Sequence, residues 1–293
     1  MWFRKDTQVD PKAPIYVDAA LGCDDNKGDG WTTALKTIGK ALTKVGRGGT
    51  IHLYGKFLED GLVTPHGITD VTVVGHGTRP REGNSGRAAG PKGGAVDWRW
   101  KDDNTDKPLL HVTQQGWRFS NLMIRGSENG GGILLTRNML AETSDQGIAG
   151  DHATFEGCTF QGPSAFGICA EGGLAGVHVL NCHFRMFSKP NQAAVLGRTG
   201  EGVGSAIFWK IDHNLFQANW SDVVVALAEG IVTHNFFIRR SLLSSGIPDG
   251  TPSVDFTNGR GNLVGWNWWD EGSVNIHAVY DRWHGNIGVE DVK

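Results

Sequence analysis

Nowhere in the 293 residues does an apolar run approach the roughly 18 consecutive positions that a membrane-spanning helix needs. An excess of either charge is also missing. With 28 Lys and Arg against 31 Asp and Glu, the net charge is −3, which gives no electrostatic reason to expect a nucleic-acid partner or a basic membrane-facing patch. The four cysteines, Cys23, Cys158, Cys169 and Cys182, form no CxxC pair and no zinc-like spacing. They are expected as small apolar core residues and demand no oxidising compartment. The first residues, MWFRKDTQVDPKAP, lack the continuous apolar stretch of a secretory signal. Either a leader has been cut away, or the protein is made in a cytoplasm and leaves by another route, such as lysis. Helix-favouring runs are scarce as well, whereas glycine is abundant at 43 residues. That combination predicts many short strands and tight turns.

What the sequence does have is a repeated phrase: two apolar residues at alternate positions, then Asn or His-Asn, then an apolar or aromatic residue. It occurs as WRFSNLMI ending at Ile124, ATFEGCTF at Phe160, VHVLNCHF at Phe184, WKIDHNLF at Phe216, IVTHNFFI around Phe237 and LVGWNWWD around Trp269. A degraded copy, RWHGNIGV, lies around Gly288. The anchors are separated by 36, 24, 32, 21, 32 and 19 residues. The short intervals are bare units and the long ones are units carrying a loop, the signature of a solenoid.

Each unit has the period of two that marks a strand, as in Val177 and Val179 alternating with His178 and Leu180. Coils stacked at about 4.8 Å place equivalent residues in columns. Cys158 and Cys182 share one slot. Asn121 and Asn181 share another, which predicts an Asn ladder at the bend. Phe160, Phe184, Phe216 and Phe237 are expected as an internal aromatic stack. The paired steps His213-Asn214 and His234-Asn235 read as turn residues of the coil.

The first fifty residues differ. A strand at Ile15–Val17 leads through an acidic Gly-rich loop to a short amphipathic helix with Leu35, Ile38, Ala41, Leu42 and Val45 on one face. Gly46–Gly49 breaks it, and TIHLYG begins a strand. Such a helix can cover the open end of a solenoid. Tyr16, Val17, Asp24, Asn26, Gly28, Thr37, Ile38, Ala41, Leu42, Gly49, Thr50, Ile51 and Leu53 make this segment similar to the one that caps the first coil in right-handed parallel β-helix proteins of the pectin lyase-like superfamily. The resemblance implies an all-β fold, a single-stranded right-handed parallel β-helix with a short N-terminal capping helix. Residues 1–50 form the cap and 51–293 one helix with inserted loops; no linker divides the chain. It implies little about activity, because the superfamily includes lyases, hydrolases, epimerases, adhesins and phage spike proteins.

Ile211, Asp212 and His213 resemble the WIDH segment of one pectate lyase family, with Lys210 intervening. The resemblance then stops. Asp222 could stand for the first calcium aspartate, but Ala226 holds the place of the second, and the Arg-x-Pro-x-x-Arg that supplies the basic arginine does not occur. TRPREG (78–83) is wrongly placed and spaced. The DDNKGDG loop has oxygens for calcium at Asp24, Asn26 and Asp29 but lacks the distal glutamate of an EF-hand. A capping turn is expected there, with no metal and no cofactor in the protein.

A hydrolase needs two carboxylates on one face. Aligning the copies places Ser120, Glu156, Leu180, Asp212, Thr233 and Gly265 in one outward column and Arg118, Thr154, His178, Lys210, Ile231 and Leu263 in its neighbour. Glu156 and Asp212 then stand two coils apart, about 9.5 Å, within the span that admits an attacking water. Glu156, Asp212 and His178 are the candidate catalytic residues; Lys210, Trp268 and Trp269 are the candidate substrate-binding residues. The alternative is a solvated, ion-paired stripe. Trp98, Trp100, Trp220, Trp266, Trp268, Trp269 and Trp283 are many for a β coil. Trp268 and Trp269 cannot both face inward, and an exposed indole suits a sugar ring or a partner subunit.

Loops at 75–98, 137–150 and 187–204 read as excursions that make contacts. Three functions fit. The first is a spike, fibre or decoration subunit of a bacteriophage particle, a homotrimer at the virion surface touching other virion proteins and polysaccharide, with neither nucleic acid nor membrane as partner. The second is a glycosidase or polysaccharide lyase acting on bacterial surface or acidic polysaccharide, free and secreted or on a spike. The third is an adhesin, which a secretion signal or surface anchor would favour. The first is the expectation.

Overall fold

A computed structural model describes residues 13–77, 96–102, 105–136, 150–187, 190, 192–198, 206–238, 251–270, 274–276 and 280–288. Among them, parallel strands form three long sheets that turn about a common core. The first face has ten strands, from Ile15–Asp18 to Arg282–His284; the second has eight, from Lys56–Leu58 to Trp268–Trp269; the third has eight, from Leu62–Val63 to Val274–Ile276. Successive turns of chain visit the faces in order, so each strand pairs with the strand one coil on. Every paired strand in these sheets is parallel, from Ile15↔Ile51 on the first rung to Val264↔Trp283 on the last.

The period of two decides which side chains enter the core. On the first face Val73, Phe119, Phe155, Val179, Ile211, Val232 and Val264 follow one another in register, all buried. The second face contributes Ile124, Phe160, Phe184, Phe216, Phe237 and Trp269 in unbroken register. The rings from Phe160 to Trp269 stack with centroids 4.8, 5.0, 4.9 and 4.7 Å apart and planes within 8° of parallel. Burying each such ring contributes roughly 1.5–3 kcal/mol, and stacking adds about 0.5–1.5. The expected aromatic stack is present with the expected members.

One residue in left-handed backbone makes the bend between first and second faces. Asn121 (φ 55°), Gly157 (61°), Asn181 (52°), His213 (57°), His234 (55°), Trp266 (54°) and Gly285 (64°) all occupy that slot. Gly is at ease there and Asn tolerates it, whereas an imidazole or indole accepts strain. The expected ladder between Asn121 and Asn181 is absent, because Gly157 stands between them and the Asn121 amide donates to Gly75 O instead. The ladder lies one residue later and faces inward. Asn214 Nδ2 donates to Asn235 Oδ1, Asn235 Nδ2 to Asn267 Oδ1, and Asn267 Nδ2 to Asn286 Oδ1 (2.9, 3.0 and 3.2 Å). Each of these amides also donates to a main-chain carbonyl of the preceding coil, and each oxygen accepts a main-chain N–H as well. In the His-Asn steps the histidine turns the chain and the asparagine satisfies the core.

The capping helix is shorter than the apolar pattern predicts, spanning Ile38–Leu42. Leu35 is buried as expected but lies outside it, because its N–H donates to Tyr16 O and the segment runs beside the first strand. Thr37 Oγ1 accepts from Lys40 N, and the Glu59 carboxylate accepts from Ile38 N and Gly39 N. Asp24 accepts from Lys36 N, Thr37 N and Thr37 Oγ1, Asn26 donates to Ala34 O, and Asp29 accepts from Thr33 Oγ1. These hydrogen bonds tie the acidic loop to the segment that leads into the helix. Cys158, Cys169 and Cys182 are buried; Cys23 is exposed, correcting the expectation that all four belong to the core, because it lies on this loop outside the coils.

Candidate functional site

Where the first face turns into the second, several polar side chains converge on one carboxylate. Asp212 points outward from the strand Lys210–Asp212, yet its side chain is only 13% exposed. Its Oδ1 accepts from Thr233 Oγ1 at 2.8 Å and lies 3.0 Å from His213 Nδ1 and 3.1 Å from His234 Nδ1. Lys210 Nζ is 3.3 Å from Oδ2. Burial acts to raise the acid's pKa, but Thr233, His213, His234 and Lys210 together outweigh it and hold Asp212 at about 2, below the ordinary 3.8. Asp212 therefore stays ionised at any ordinary pH and cannot serve as a proton donor.

The bend slot arranges the rest. His213 and His234 stack at 4.6 Å, His234 and Trp266 at 5.6 Å with planes 10° apart, and His284 meets Trp266 edge-on at 6.0 Å. Around the corner on the second face Phe236, 53% exposed, lies beside Trp268. Trp266 is itself 51% exposed. An exposed indole stacked on His234, with His213, Asp212 and Lys210 farther along the same row, offers an apolar plane for a ring and polar atoms for its edge.

The ligand-capable atoms of Asp212, His213 and His234 all lie within 4.8 Å of one another. A metal ion binds imidazole along the lone pair in the ring plane, and these two rings lie almost parallel, 16° apart, one above the other. One ion cannot occupy both planes without turning a ring, and Lys210 already neutralises the carboxylate. The trio is a hydrogen-bonded carboxylate cluster in this arrangement.

Of the residues singled out from the sequence, Asp212 and Lys210 form the heart of the cluster. Glu156 occupies the same outward column, two rungs away across Leu180, and is exposed. His178 stands beside Lys210 on the adjacent rung; burial holds its pKa below the ordinary histidine value, and Lys210 and His152 add to the effect. Among the described residues His178 bonds to neither carboxylate. Trp268 is half-buried and faces outward, whereas Trp269 is 1% exposed at the end of the aromatic stack. Trp269 therefore cannot touch a substrate, which corrects its assignment as a binding residue: the anchor slot faces inward in every coil. Asp222 is also buried, bonded to Asn219 and Ser253. TRPREG, like most of the loops at 75–98 and 137–150 and parts of 187–204, lies outside the described residues. His213, His234 and Trp266 were missed as side chains that act together. Their shared place one residue before the ladder asparagine is the signal that could have found them.

No protein-family model matches the chain, and no curated protein matches it. Solved structures do. The GH136 lacto-N-biosidase from Eubacterium ramulus is similar over 93% of this chain, at 11% identity and a TM-score of 0.54. The chain spans 55% of that protein's length. An alginate lyase from Paenibacillus sp. str. FPU-7 matches over 92% of this chain and 94% of its own, at 13% identity and a TM-score of 0.42. The Dettilon tailspike protein matches over 85% and 63%, at 11% identity and 0.31. The protein is a right-handed parallel β-helix, with a polar and aromatic cluster on the outer corner between two of its faces.

Proposed function

We propose that this protein is a carbohydrate-contacting β-helix, displayed as a spike, fibre or decoration subunit at the surface of a bacteriophage particle, and that the Asp212 corner is where sugar is held. The observation that carries the reading is the outward stack of His213, His234 and Trp266 over an ionised Asp212, flanked by Phe236 and Trp268. Sugar rings present apolar faces to indoles and hydroxyls to fixed carboxylates and imidazoles, and this surface supplies both. The rigid coil supports the role as well, since side chains on strands and bends keep their spacing without a ligand. A trimeric assembly goes with the particle role. The test is binding of the folded chain to a panel of bacterial polysaccharides, with Trp266→Ala alongside and the oligomeric state read by light scattering. Binding that falls at least tenfold in Trp266→Ala supports the reading; equal binding by both proteins removes the corner from it, and a monomer removes the trimer.

A second reading, hydrolysis or lyase cleavage of such a polysaccharide, has one observation in its favour: Glu156 and Asp212 share a column with one rung between them. Asp212 would be the ionised partner and Glu156 the acid. Release of reducing ends, or of absorbance at 235 nm, by wild type and its disappearance in Glu156→Ala would establish it.

A further inference from the structure

The second face carries a row of arginines that the corner does not use. Arg99, Arg125 and Arg185 each follow a buried anchor (Trp98, Ile124 and Phe184), so their side chains leave the same outer column, with Gln161 on the rung between the last two. Among the described strand residues of this face Asp97 is the sole carboxylate, and two arginines share it. Arg99 bonds it through Nε and Nη2, and Arg125 Nε lies 3.3 Å from it.

The remaining donors are poorly served. A guanidinium has five N–H groups, all seeking acceptors. Among the described residues the other polar contacts of Arg125 are with the thioether of Met123, at 3.1 Å from Nε and 2.8 Å from Nη2, a weak acceptor for a cation. Among the described residues Arg185 has one good bond, Nη2 to Gln161 Oε1 at 2.8 Å, and its buried Nε has no partner. The Arg125 side chain is only 16% exposed, so water offers little compensation. Burial lowers its pKa; Asp97 opposes that, and Arg99 and Arg185, close enough to repel it, add to the lowering. Three clustered cations with one carboxylate and idle donors are an incomplete ion cluster, and a planar or tetrahedral oxyanion supplies the missing charge and acceptors.

We propose that Arg125 and Arg185, with Arg99 beside them, form a binding site for an oxyanion, a carboxylate or sulfate carried on a saccharide. The anion site stands on the arginines alone; only the saccharide as its source rests on the function proposed above. The whole chain is titrated with sodium sulfate, and separately with tetragalacturonate and its carboxyl-reduced neutral counterpart, at ionic strength held constant with sodium chloride. Sulfate is expected to raise the apparent Tm by about 2 °C or more. The acidic tetrasaccharide is expected to bind at least tenfold more tightly than the neutral one. Both effects should vanish in Arg125→Gln/Arg185→Gln, weaken in Arg185→Lys, and persist in Lys36→Gln on the capping segment. A sulfate effect without preference for the acidic sugar assigns the site to a free anion and tells against the saccharide. Neither effect in wild type, or both retained in the double variant, overturns the proposal. Trp266→Ala separates the two sites: failure of the corner would change the binding of neither sulfate nor the acidic group.

Discussion

His213 and His234 stand one coil apart with their rings stacked at 4.6 Å, and both place Nδ1 within about 3 Å of the same oxygen of Asp212. Because Thr233 and Lys210 crowd the same carboxylate, the folded chain holds Asp212 at about 2 while the unfolded chain releases it to the ordinary 3.8. A carboxylate with a depressed folded pKa adds stability that is complete above the unfolded value and lost as pH falls through the folded one. Urea unfolding of wild type and Asp212→Asn should therefore differ by roughly 1–2 kcal/mol at pH 6, after allowance for solvent screening, and converge between pH 4 and pH 2. A difference that stays constant over that range would assign the effect to packing.

The buried Asn ladder makes a second test. Asn235 accepts from the main chain and side chain of Asn214 and donates to Ile211 O and Asn267 Oδ1. Asn235→Ala strands several of these groups out of reach of water, at a cost of about 2–4 kcal/mol. Asn286, at the end of the ladder and half-exposed, should cost less than half as much when truncated. Chemical denaturation of the two variants gives the comparison.

Neighbouring phenylalanines should behave oppositely. Phe237 is buried between Phe216 and Trp269, whereas Phe236 is exposed. Phe237→Ala is expected to lose about 3–5 kcal/mol, and Phe236→Ala to stay within about 0.5. Similar losses from both would mean that the outer aromatic surface is covered by other parts of the protein.

Trp266 holds left-handed backbone at φ 54°, a conformation that costs a side-chain-bearing residue about 1–2 kcal/mol and glycine almost nothing. Trp266→Gly forfeits the stacking on His234 but releases that strain. Its stability should match or exceed that of wild type while polysaccharide binding falls. Thermal melts beside binding measurements separate the two effects.

Thiol reactivity distinguishes the cap from the coils. Under native conditions a thiol reagent should modify Cys23 alone of the four cysteines, with Cys158, Cys169 and Cys182 reacting only on unfolding.

The coil was legible in the sequence because each strand is short, alternates strictly and ends at an anchor. Aligning Ile124, Phe160, Phe184, Phe216, Phe237 and Trp269 recovers the register of the second face, and counting back four residues recovers Glu156, Leu180 and Asp212 as one column. The ladder was misplaced by one residue. Asparagine suits both a left-handed bend and a buried amide stack, and in the His-Asn steps the histidine takes the bend. The corner cluster was less legible, because side chains on left-handed residues leave the chain in a direction that a period of two does not encode. The arginine row went unread for a simpler reason: it lies one residue beyond the anchors, just past the end of several aligned phrases.

The bend slot has one more consequence. Its occupants vary from glycine to asparagine, histidine and tryptophan while the backbone keeps the same angle, and none of these side chains enters the hydrophobic interior. The corner therefore behaves like a row of sockets along a rail, one every 4.8 Å or so, into which evolution or an engineer can plug a different group without re-cutting the rail. Recognition can be rewritten there one coil at a time.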